Sequence, residues 1–359
     1  MKKQDFKNVD FVNLVNYLTS INEPKYRAQQ ILTWVYQRGI EDFSLMSNLS
    51  LKLRKNLESN FYISKLKIND RLISKDKTRK YLFKLEDGNL IESVLIPHKD
   101  RVTVCLSTQV GCKFACKFCA SGALGFVRNL SKSEILNQVL TIKKDIGRDI
   151  NNIVFMGIGE PLDNYNALLD SIRVINSKYG FNIGQRKITI STVGIIEGID
   201  KLSKEGLQIE LSVSLHSAME RKRDEIMSIN KKYPIKKLLF CLRHFAKVTK
   251  RKVTFEYLLI GGFNTNIDDA KSLLLATKGL DCKVNLIVFN PINISNFTAP
   301  TKLEVLFFRD YLSKNNIDVT IRQSRGQDIE AACGQLRLQS TQDNISSTRK
   351  NRKLRGGHD

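Results

Sequence analysis

The sequence lacks any apolar run long enough to cross a lipid bilayer. A membrane-spanning helix needs about 18 to 20 consecutive apolar residues, and the 359-residue chain has no such run. The N-terminal stretch MKKQDFKNVDF carries two lysines with no apolar segment behind them, so we expect no secretory signal peptide. These absences argue against a membrane protein and a secreted one, and they predict a soluble protein of the cytoplasm.

The cysteine content does not suit a disulfide-stabilised protein. The chain is long and has seven cysteines, an odd number, whereas disulfide frameworks belong to short secreted chains with paired cysteines. Three of the seven, Cys112, Cys116 and Cys119, lie within eight residues. Such a cluster indicates a metal centre.

Acidic residues are scarce relative to basic ones. Lys and Arg number 58 and Asp and Glu 36, which gives a net charge of +22. A balance this basic is typical of proteins that bind polyanions; the alternative is a lysine-rich surface with no such partner. No basic amphipathic stretch with exposed Trp or Phe stands out, so nucleic acid is favoured over an anionic membrane.

Hydrophobic periodicity divides the chain into four parts. Residues 1–62 read as helices, with apolar faces in 26–39 and 50–61. Residues 63–97 read as a small β element, because two strand patterns, 78–85 and 90–96, flank the turn Asp87-Gly88-Asn89. Residues 98–336 form the main domain, and residues 337–359 are a polar, basic tail.

The main domain alternates between strand and helix patterns. Strands are predicted at 102–106, 153–156, 187–191, 209–214, 253–259, 284–289 and 319–322. Helices are predicted at 132–144, 166–177, 196–204, 235–248, 268–278 and 304–315. Six successive strand–helix units predict an α/β fold with a parallel sheet, either a barrel or a doubly wound sheet.

The cysteine cluster has the spacing C-x3-C-x2-C and directly follows the first strand of the main domain. A structural zinc site normally has four protein ligands, and thiolates also hold iron–sulfur clusters. Three local thiolates leave one coordination position for a substrate. The alternative is a zinc knuckle whose fourth ligand lies far away in the sequence.

Further polar residues follow the predicted strands of the main domain. Ligands of βα folds collect at the carboxyl ends of the strands, and glycine allows a close approach of the backbone. The segment Phe155-Met-Gly-Ile-Gly-Glu-Pro-Leu162 offers a carboxylate there for an ammonium group. The candidate ligand-binding residues at strand ends are Gly159, Glu160, Ser191, Ser214, Leu215, His216 and Asn290.

These motifs together resemble a known family. The cysteine spacing with Phe118 before the last cysteine is similar to the radical S-adenosylmethionine (SAM) signature, and Gly159-Glu160-Pro161 resembles the GGEP element of that superfamily. The segments Arg325-Gly-Gln-Asp-Ile-Glu-Ala-Ala-Cys-Gly-Gln-Leu336 and Cys105-Leu-Ser-Thr-Gln-Val-Gly-Cys112 resemble the RlmN/Cfr family of radical SAM RNA adenine methyltransferases. The resemblance covers about residues 10–336, and Ile158 stands where the family usually has Met.

The resemblance implies a fold and a set of cofactors. The fold is a partial (βα)6 radical SAM barrel with an N-terminal helical domain that assists RNA binding. Cys112, Cys116 and Cys119 would bind three irons of one [4Fe-4S] cluster. The fourth iron would take the amino and carboxylate groups of SAM, which the residues at the strand ends would hold.

The resemblance also implies catalytic residues. One SAM methylates the Cys333 thiolate, and a second SAM yields a radical that takes hydrogen from the S-methyl group. The resulting carbon joins adenine, and Cys105 then attacks the Cys333 sulfur to release the product through a transient disulfide. Glu92 is the implied acceptor of the adenine proton, a role that Cys105 could share.

Three functions remain to be separated. The Gly-Glu-Pro-Leu and Arg-Gly-x-Asp-Ile segments favour methylation of adenine C2, in the peptidyl-transferase centre of 23S rRNA and in tRNA at the purine 3′ of the anticodon. The enzyme would be a monomer that receives electrons from flavodoxin or ferredoxin. The alternatives are a C8 methyltransferase of the Cfr type and a non-catalytic, metal-stabilised RNA-binding protein; the last would not require Gly159-Glu160 or Cys333.

Overall fold

A ten-stranded sheet forms the centre of the fold. The structure is a computed structural model that describes residues 3–123, 125–291, 296–322 and 325–329. In chain order its strands are β1 (Gln4–Asp5), β2 (Phe61–Tyr62), β3 (Lys67–Ile73), β4 (Arg79–Lys84), β5 (Leu90–Pro97), β6 (Val102–Cys105), β7 (Gln109–Gly111), β8 (Phe126–Asn129), β9 (Asn152–Phe155), β10 (Ile188–Thr192), β11 (Glu210–Ser214), β12 (Val253–Leu259), β13 (Cys282–Val288) and β14 (Asp318–Arg322).

The order of the strands confirms the predicted α/β architecture. In the described part of the chain the central sheet runs β14-β13-β12-β11-β10-β9-β6-β5-β4-β3. From β6 to β14 all neighbours are parallel, so β6 and β9 to β13 are the six strands of the predicted βα units. Strand β14 adds a seventh parallel strand at one edge.

Helices follow the parallel strands, as the apolar periodicity predicts. The helices are α1 (Phe11–Ser20), α2 (Tyr26–Leu32), α3 (Leu51–Asn60), α4 (Ala120–Ala123), α5 (Lys132–Ile146), α6 (Tyr165–Asn176), α7 (Ile196–Ser203), α8 (Glu220–Ile226), α9 (Ile235–Thr249), α10 (Ile267–Thr277) and α11 (Lys302–Lys314). Capping boxes at Ser131, Asn266 and Thr301 fix the starts of α5, α10 and α11, because each side chain satisfies an N–H group that lacks a partner within its helix. In the described residues, no helix is both long and apolar enough to cross a membrane.

The small β element expected at 63–97 joins the central sheet as β3, β4 and β5. Strand β5 pairs antiparallel with β6, and Val94 lies opposite Cys105. A tight turn joins the two strands, in which the His98 N–H donates to the Arg101 carbonyl at 2.8 Å. This short connection favours a hairpin, and it places the strand that carries Glu92 beside the strand that carries Cys105.

The N-terminal helical domain packs against α5. The Lys7 ammonium is buried and donates to the Ser64 carbonyl at 2.8 Å and to Asn137 Oδ1 at 2.5 Å. The Lys132 ammonium donates to the Val9 carbonyl at 2.9 Å. Burial lowers the pKa of Lys7 to about 8, so its two hydrogen bonds offset part of the cost of removing the ammonium group from water.

Several elements differ from those that the sequence predicts. The helix expected over 26–39 is α2 followed by a π-helical turn, Thr33–Gln37. Strand β3, helix α8 and the β7–β8 hairpin have no counterpart in the sequence prediction, whereas α1 lies within residues 1–62, which were predicted to be helical. The hairpin and α8 lie next to the cysteine loop, and both help to position it.

Candidate active site

The cysteine loop connects β7 to α4 and is fixed at several points by backbone hydrogen bonds. The Cys112 N–H donates to the Gly125 carbonyl at 2.9 Å, which ties the loop to the start of β8. The Cys119 N–H donates to the Cys116 carbonyl at 3.0 Å, and the Lys117 N–H reaches the Ile226 carbonyl at 3.0 Å. The loop is therefore held between the β7–β8 hairpin and the end of α8.

The three thiols share one apolar pocket and act on one another electrostatically. The buried side chains of this pocket include Phe114, Ile226 and Met227. Burial raises the pKa of the Cys112 thiol to about 12, and the nearby Cys119 contributes in the same direction. Burial also raises the pKa of Cys116, with further upward contributions from Cys119 and Cys112.

These thiols suit an iron–sulfur cluster. Within the described residues, no three His, Cys, Asp or Glu side chains are already gathered as metal ligands, so the thiols lie in one pocket without forming a closed site. Thiolates are the usual ligands of iron–sulfur clusters, and a bound metal favours the thiolate form. A cluster bound to the loop would thus supply the positive charge that stabilises three neighbouring thiolates.

The buried side chain of Arg223 lies near the cysteine loop. The guanidinium of Arg223 is fully buried and donates to the Leu215 carbonyl at 3.1 Å, to Asn230 Oδ1 at 2.7 Å and to the Val193 carbonyl at 2.8 Å. Its charge opposes the rise in the pKa of Cys116. Arg223 therefore connects the carboxyl ends of β10 and β11 to the base of the cysteine loop.

Glu160 lies at the carboxyl end of β9 with a buried carboxylate. Oε2 accepts a hydrogen bond from the Val193 N–H at 2.8 Å, and Oε1 accepts one from the Leu162 N–H at 3.1 Å. Burial raises the pKa of Glu160 to about 7. Because a bound ammonium group would offset this desolvation, the carboxylate fits the predicted contact with the amino group of SAM.

Gly159 is required by the close packing of its backbone. Its φ of +100° lies in the region that favours glycine, and a Cβ atom there would lie 2.5 Å from the Gln109 Cβ. Any other residue would push away the chain that leads into the cysteine loop. The glycine therefore allows the Gly-Glu-Pro turn to approach β7.

The other residues predicted to bind SAM lie at the ends of neighbouring strands. Ser191 and Ser214 belong to β10 and β11, and Asn290 follows β13. His216 has a buried ring whose Nδ1 accepts from the Leu258 N–H at 3.0 Å, and burial lowers its pKa to about 3. The ring is 4.6 Å from Phe118, edge to face, so His216 also packs against the cysteine loop. Leu215 beside it is fully buried.

Glu92 and Cys105 are both buried and lie close enough to interact. Burial is the largest effect on the Cys105 thiol, whose pKa is raised to about 11. The charge of Arg322 opposes this rise in pKa, and the charge of Glu92 adds to it. The Ser107 hydroxyl donates to the Glu92 carbonyl at 2.5 Å, which fixes β5 against the chain that follows β6. Arg322 ends β14, and its guanidinium lies 3.5 Å from the Met156 sulfur. Cys333 lies outside the described residues.

Two family descriptions match this chain. Residues 4–63 match the ribosomal RNA large subunit methyltransferase N-terminal domain, and residues 106–274 match the radical SAM superfamily. The chain is 47% identical over 332 residues to a probable dual-specificity RNA methyltransferase RlmN of Thermotoga neapolitana, covering 92% of this chain and 96% of that one. The chain belongs to the RlmN family of radical SAM RNA methyltransferases.

Further relatives agree with this assignment. The dual-specificity RNA methyltransferase RlmN of Pelobacter propionicus is 42% identical over 336 residues, covering 94% of this chain and 96% of that one. The crystal structure of a radical SAM methyltransferase from Sphaerobacter thermophilus superimposes with a TM-score of 0.87 at 38% identity, covering 92% of this chain and 98% of that one. Membership of the RlmN family confirms the predicted enzyme class and implies SAM, an iron–sulfur cluster and an RNA substrate.

Sequence reasoning missed two charged residues that lie near the predicted site residues, Arg223 and Arg322. Both lie in polar stretches, Glu220-Arg-Lys-Arg-Asp-Glu225 and Asp318-Val-Thr-Ile-Arg322, where a charged residue carries no sign of burial or of a partner. For Arg322 the position at the end of a predicted strand was the available signal. For Arg223 the sequence offers none.

Proposed function

We propose that this RlmN-family enzyme methylates C2 of adenine in 23S rRNA and in tRNA, with Cys333 as the methyl carrier. The observation that carries the proposal is the pairing of β5 with β6, which brings the buried Glu92 and Cys105 close together on neighbouring strands of the central sheet. The names of the relatives, dual-specificity RNA methyltransferases, support two RNA substrates. We further propose a cytoplasmic monomer with flavodoxin or ferredoxin as electron donor.

Cys112, Cys116 and Cys119 would hold a [4Fe-4S] cluster, and the residues at the strand ends would hold SAM. When bound, this pair of cofactors supplies the 5′-deoxyadenosyl radical that activates the methyl group. Glu160 orients the amino group of SAM through its buried carboxylate. The Gly159 backbone and the serines Ser191 and Ser214 line the same end of the sheet, with Asn290 and the Leu215-His216 pair beside them.

The chain's own residues perform the transfer steps. The Cys333 thiolate attacks the methyl group of one SAM and forms a carbon–sulfur bond with it, and S-adenosylhomocysteine leaves. Once that carbon, having lost one hydrogen atom, is bonded to adenine C2, the adduct loses one electron, for which the cluster would be the acceptor, and Glu92 takes the C2 proton; a closed-shell thioether between Cys333 and the base remains. Cys105 then attacks the Cys333 sulfur; a disulfide forms and the carbon–sulfur bond breaks. Its electron pair stays with the carbon, which takes a proton and becomes the methyl group.

Cys105 needs a base to act as a nucleophile. Because burial raises the pKa of its thiol to about 11, the thiol is protonated at neutral pH, and thiolate is the reactive form. Arg322 lowers that pKa, so the end of β14 favours the thiolate. The disulfide formed with Cys333 must be reduced by an external thiol before the next turnover.

Substitution of the two cysteines tests these roles because they should fail differently. Cys333→Ala cannot carry the methyl group, so neither product nor adduct should form. In the Cys105→Ala variant, Cys333 can still be methylated and its carbon can still bond to adenine, but the carbon–sulfur bond cannot be broken. This variant should accumulate a protein–RNA adduct, seen as a retarded band on a denaturing gel that RNase removes.

Cys241→Ala is a suitable control, since Cys241 is buried on α9 outside this site. Normal turnover by Cys105→Ala, or the same adduct from Cys333→Ala, would contradict the assigned roles. Mass spectrometry of product nucleosides decides the position: we expect 2-methyladenosine, and 8-methyladenosine alone would place the enzyme with the Cfr type.

A further inference from the structure

The turn between β3 and β4 has a rigid conformation of its own. Its ends are joined by the Ser74 N–H, which donates to the Thr78 carbonyl at 2.8 Å. Inside the turn, the Asp76 N–H donates to Ser74 Oγ at 3.2 Å, and the Thr78 N–H donates to Asp76 Oδ1 at 2.9 Å. Ser74 and Asp76 therefore hold their side chains in fixed positions.

This turn binds a segment about 250 residues later in the chain. The Ser74 hydroxyl donates to Asp328 Oδ1 at 2.5 Å, and the Lys75 N–H donates to Asp328 Oδ2 at 3.0 Å. The Gly326 N–H donates to Asp76 Oδ2 at 3.1 Å. We call these three hydrogen bonds between 74–76 and 326–328 the clasp.

The clasp connects the two edges of the central sheet. In the described residues β3 and β14 are its outermost strands, and the clasp joins the turn after β3 to the segment after β14. Arg325, in the same segment, acts electrostatically on His98 in the β5–β6 turn. The chain after β14 thus passes beside the hairpin that carries Glu92 and Cys105.

The clasp shortens the stretch of chain between Cys333 and the nearest residue that the fold holds in place. Cys333 follows Asp328 by five residues, and an extended chain spans at most about 3.6 Å per residue. Five residues of chain can therefore span at most about 18 Å. With the clasp open, the nearest fixed point is Arg322, eleven residues before Cys333, and the limit grows to about 40 Å.

We propose that Asp76 and Asp328 are positioning residues for methyl transfer, because their carboxylates accept the three hydrogen bonds of the clasp, which fixes where the chain enters the segment that carries the methyl group; this inference rests on the proposed function. The volume open to Cys333 grows with the cube of its reach. Opening the clasp therefore lowers the effective concentration of the methyl carrier at the RNA base about tenfold. SAM and the cluster site are untouched.

The clasp is in place throughout the neutral range. Hydrogen bonds from Ser74 and the Lys75 N–H lower the pKa of Asp328. The pKa of Asp76 is lowered to about 2, where hydrogen bonds from Thr78 and Gly326 outweigh burial. Both pKa values lie below the ordinary aspartate value of 3.8, so both carboxylates are ionised in the neutral range and pH changes there do not open the clasp.

The test compares the double variant Asp76→Ala/Asp328→Ala, which lacks the acceptors of all three hydrogen bonds, with Lys75→Ala in the reconstituted full-length enzyme. Lys75 contributes only its backbone N–H to the clasp, so Lys75→Ala leaves the clasp closed and is the matched control. Hydrogen exchange of the 71–80 peptide is measured first. We expect exchange at the position 75 amide to be about tenfold faster in the double variant, since this N–H loses its acceptor, the Asp328 carboxylate.

The second measurement is the ratio of 5′-deoxyadenosine formed to RNA methylated, together with the methyl content of Cys333. We expect the double variant to load Cys333 normally, to transfer the methyl group about tenfold more slowly and to form excess 5′-deoxyadenosine, with the KM for SAM unchanged. Faster exchange with normal transfer would overturn the positioning role alone. Unchanged exchange would overturn the clasp, and a wild-type enzyme without methyl on Cys333 would overturn the proposed function itself.

Discussion

Glu160 illustrates at the scale of one residue how the fold prepares a charged contact. Two backbone N–H groups orient its buried carboxylate, and burial raises its pKa. A carboxylate in this environment is stabilised by any cation that can reach it. The glycine before it, Gly159, allows this turn to pack closely against Gln109.

Replacing that carboxylate tests its role. Glu160→Gln should raise the Kd for SAM at least about tenfold, because the variant cannot form a charged hydrogen bond in a buried site. Equilibrium binding to the reconstituted enzyme measures the change. The iron content should stay that of the wild type, whereas Cys116→Ala should lose the cluster; unchanged SAM binding would contradict the assignment.

The sequence predicted where these residues lie in the fold, because they stand at strand ends. Glu160 and Ser214 follow apolar strand patterns, and parallel strands bring their carboxyl ends to one edge. The closeness of Glu92 and Cys105 follows instead from the antiparallel β5–β6 hairpin, and only the family resemblance predicted it. Arg223 could not be predicted, since nothing distinguishes a buried arginine from an exposed one in a polar stretch.

At the scale of elements, Glu304 joins α11 to a neighbouring loop. Its carboxylate accepts hydrogen bonds from the Thr301 N–H at 2.7 Å, from the Thr265 hydroxyl at 2.5 Å and from the Gly262 N–H at 3.2 Å. These donors, the Thr265 hydroxyl above all, lower the pKa of Glu304 to about 2. The helix start and the loop after β12 therefore depend on one ionised group.

This dependence predicts a pH effect on stability. Because the pKa of Glu304 is lowered by folding, its stabilisation is complete above its ordinary value of 4.5 and disappears as pH falls toward about 2. Glu304→Ala should lower the free energy of unfolding by about 1 to 2 kcal/mol at pH 7. Urea unfolding from pH 7 to pH 3 measures the difference, which should shrink below pH 4.5.

Asp310→Ala on the same helix is the control, since Asp310 contacts the adjacent Arg309. It should show no comparable loss of stability at pH 7. A difference between wild type and Glu304→Ala that stays constant down to pH 3 would contradict the role of the ionised carboxylate.

Elements with one buried face were predicted within a few residues, and the others were missed. Helix α5 begins at Lys132, as predicted, because the capping residue Ser131 precedes an apolar repeat. Strand β3 is an edge strand with mostly exposed side chains, so it has no alternation to detect. In α8 an arginine, Arg223, occupies a core position, and the helix therefore reads as a polar loop.

At the scale of the whole molecule, the excess of positive charge predicts how RNA binds. A net charge of +22 favours contacts with phosphates, whose strength falls with salt. Part of that charge lies in 339–359, outside the described residues, where five basic residues cluster: Arg349, Lys350, Arg352, Lys353 and Arg355.

We predict that the logarithm of RNA affinity falls linearly with the logarithm of salt concentration. Deleting 339–359 should flatten that slope by about 0.7 to 0.9 for each RNA phosphate that the tail neutralises in the full-length protein. A full-length variant with those five residues changed to Gln should give the same slope as the deletion, which separates charge from chain length. An unchanged slope in both would show that the tail does not contact RNA.

The two outer strands of the central sheet also affect whether the protein aggregates at high concentration. An exposed strand edge is a template for another chain, and natural proteins protect such edges with charges and irregular pairing. Strand β3 carries Lys67, Asp70 and Arg71, and its pairing with β4 shifts register between Ile68 and Asp70. Strand β14 carries Asp318 and Arg322 at its ends. An open sheet of this size can therefore remain in solution without edge-to-edge aggregation.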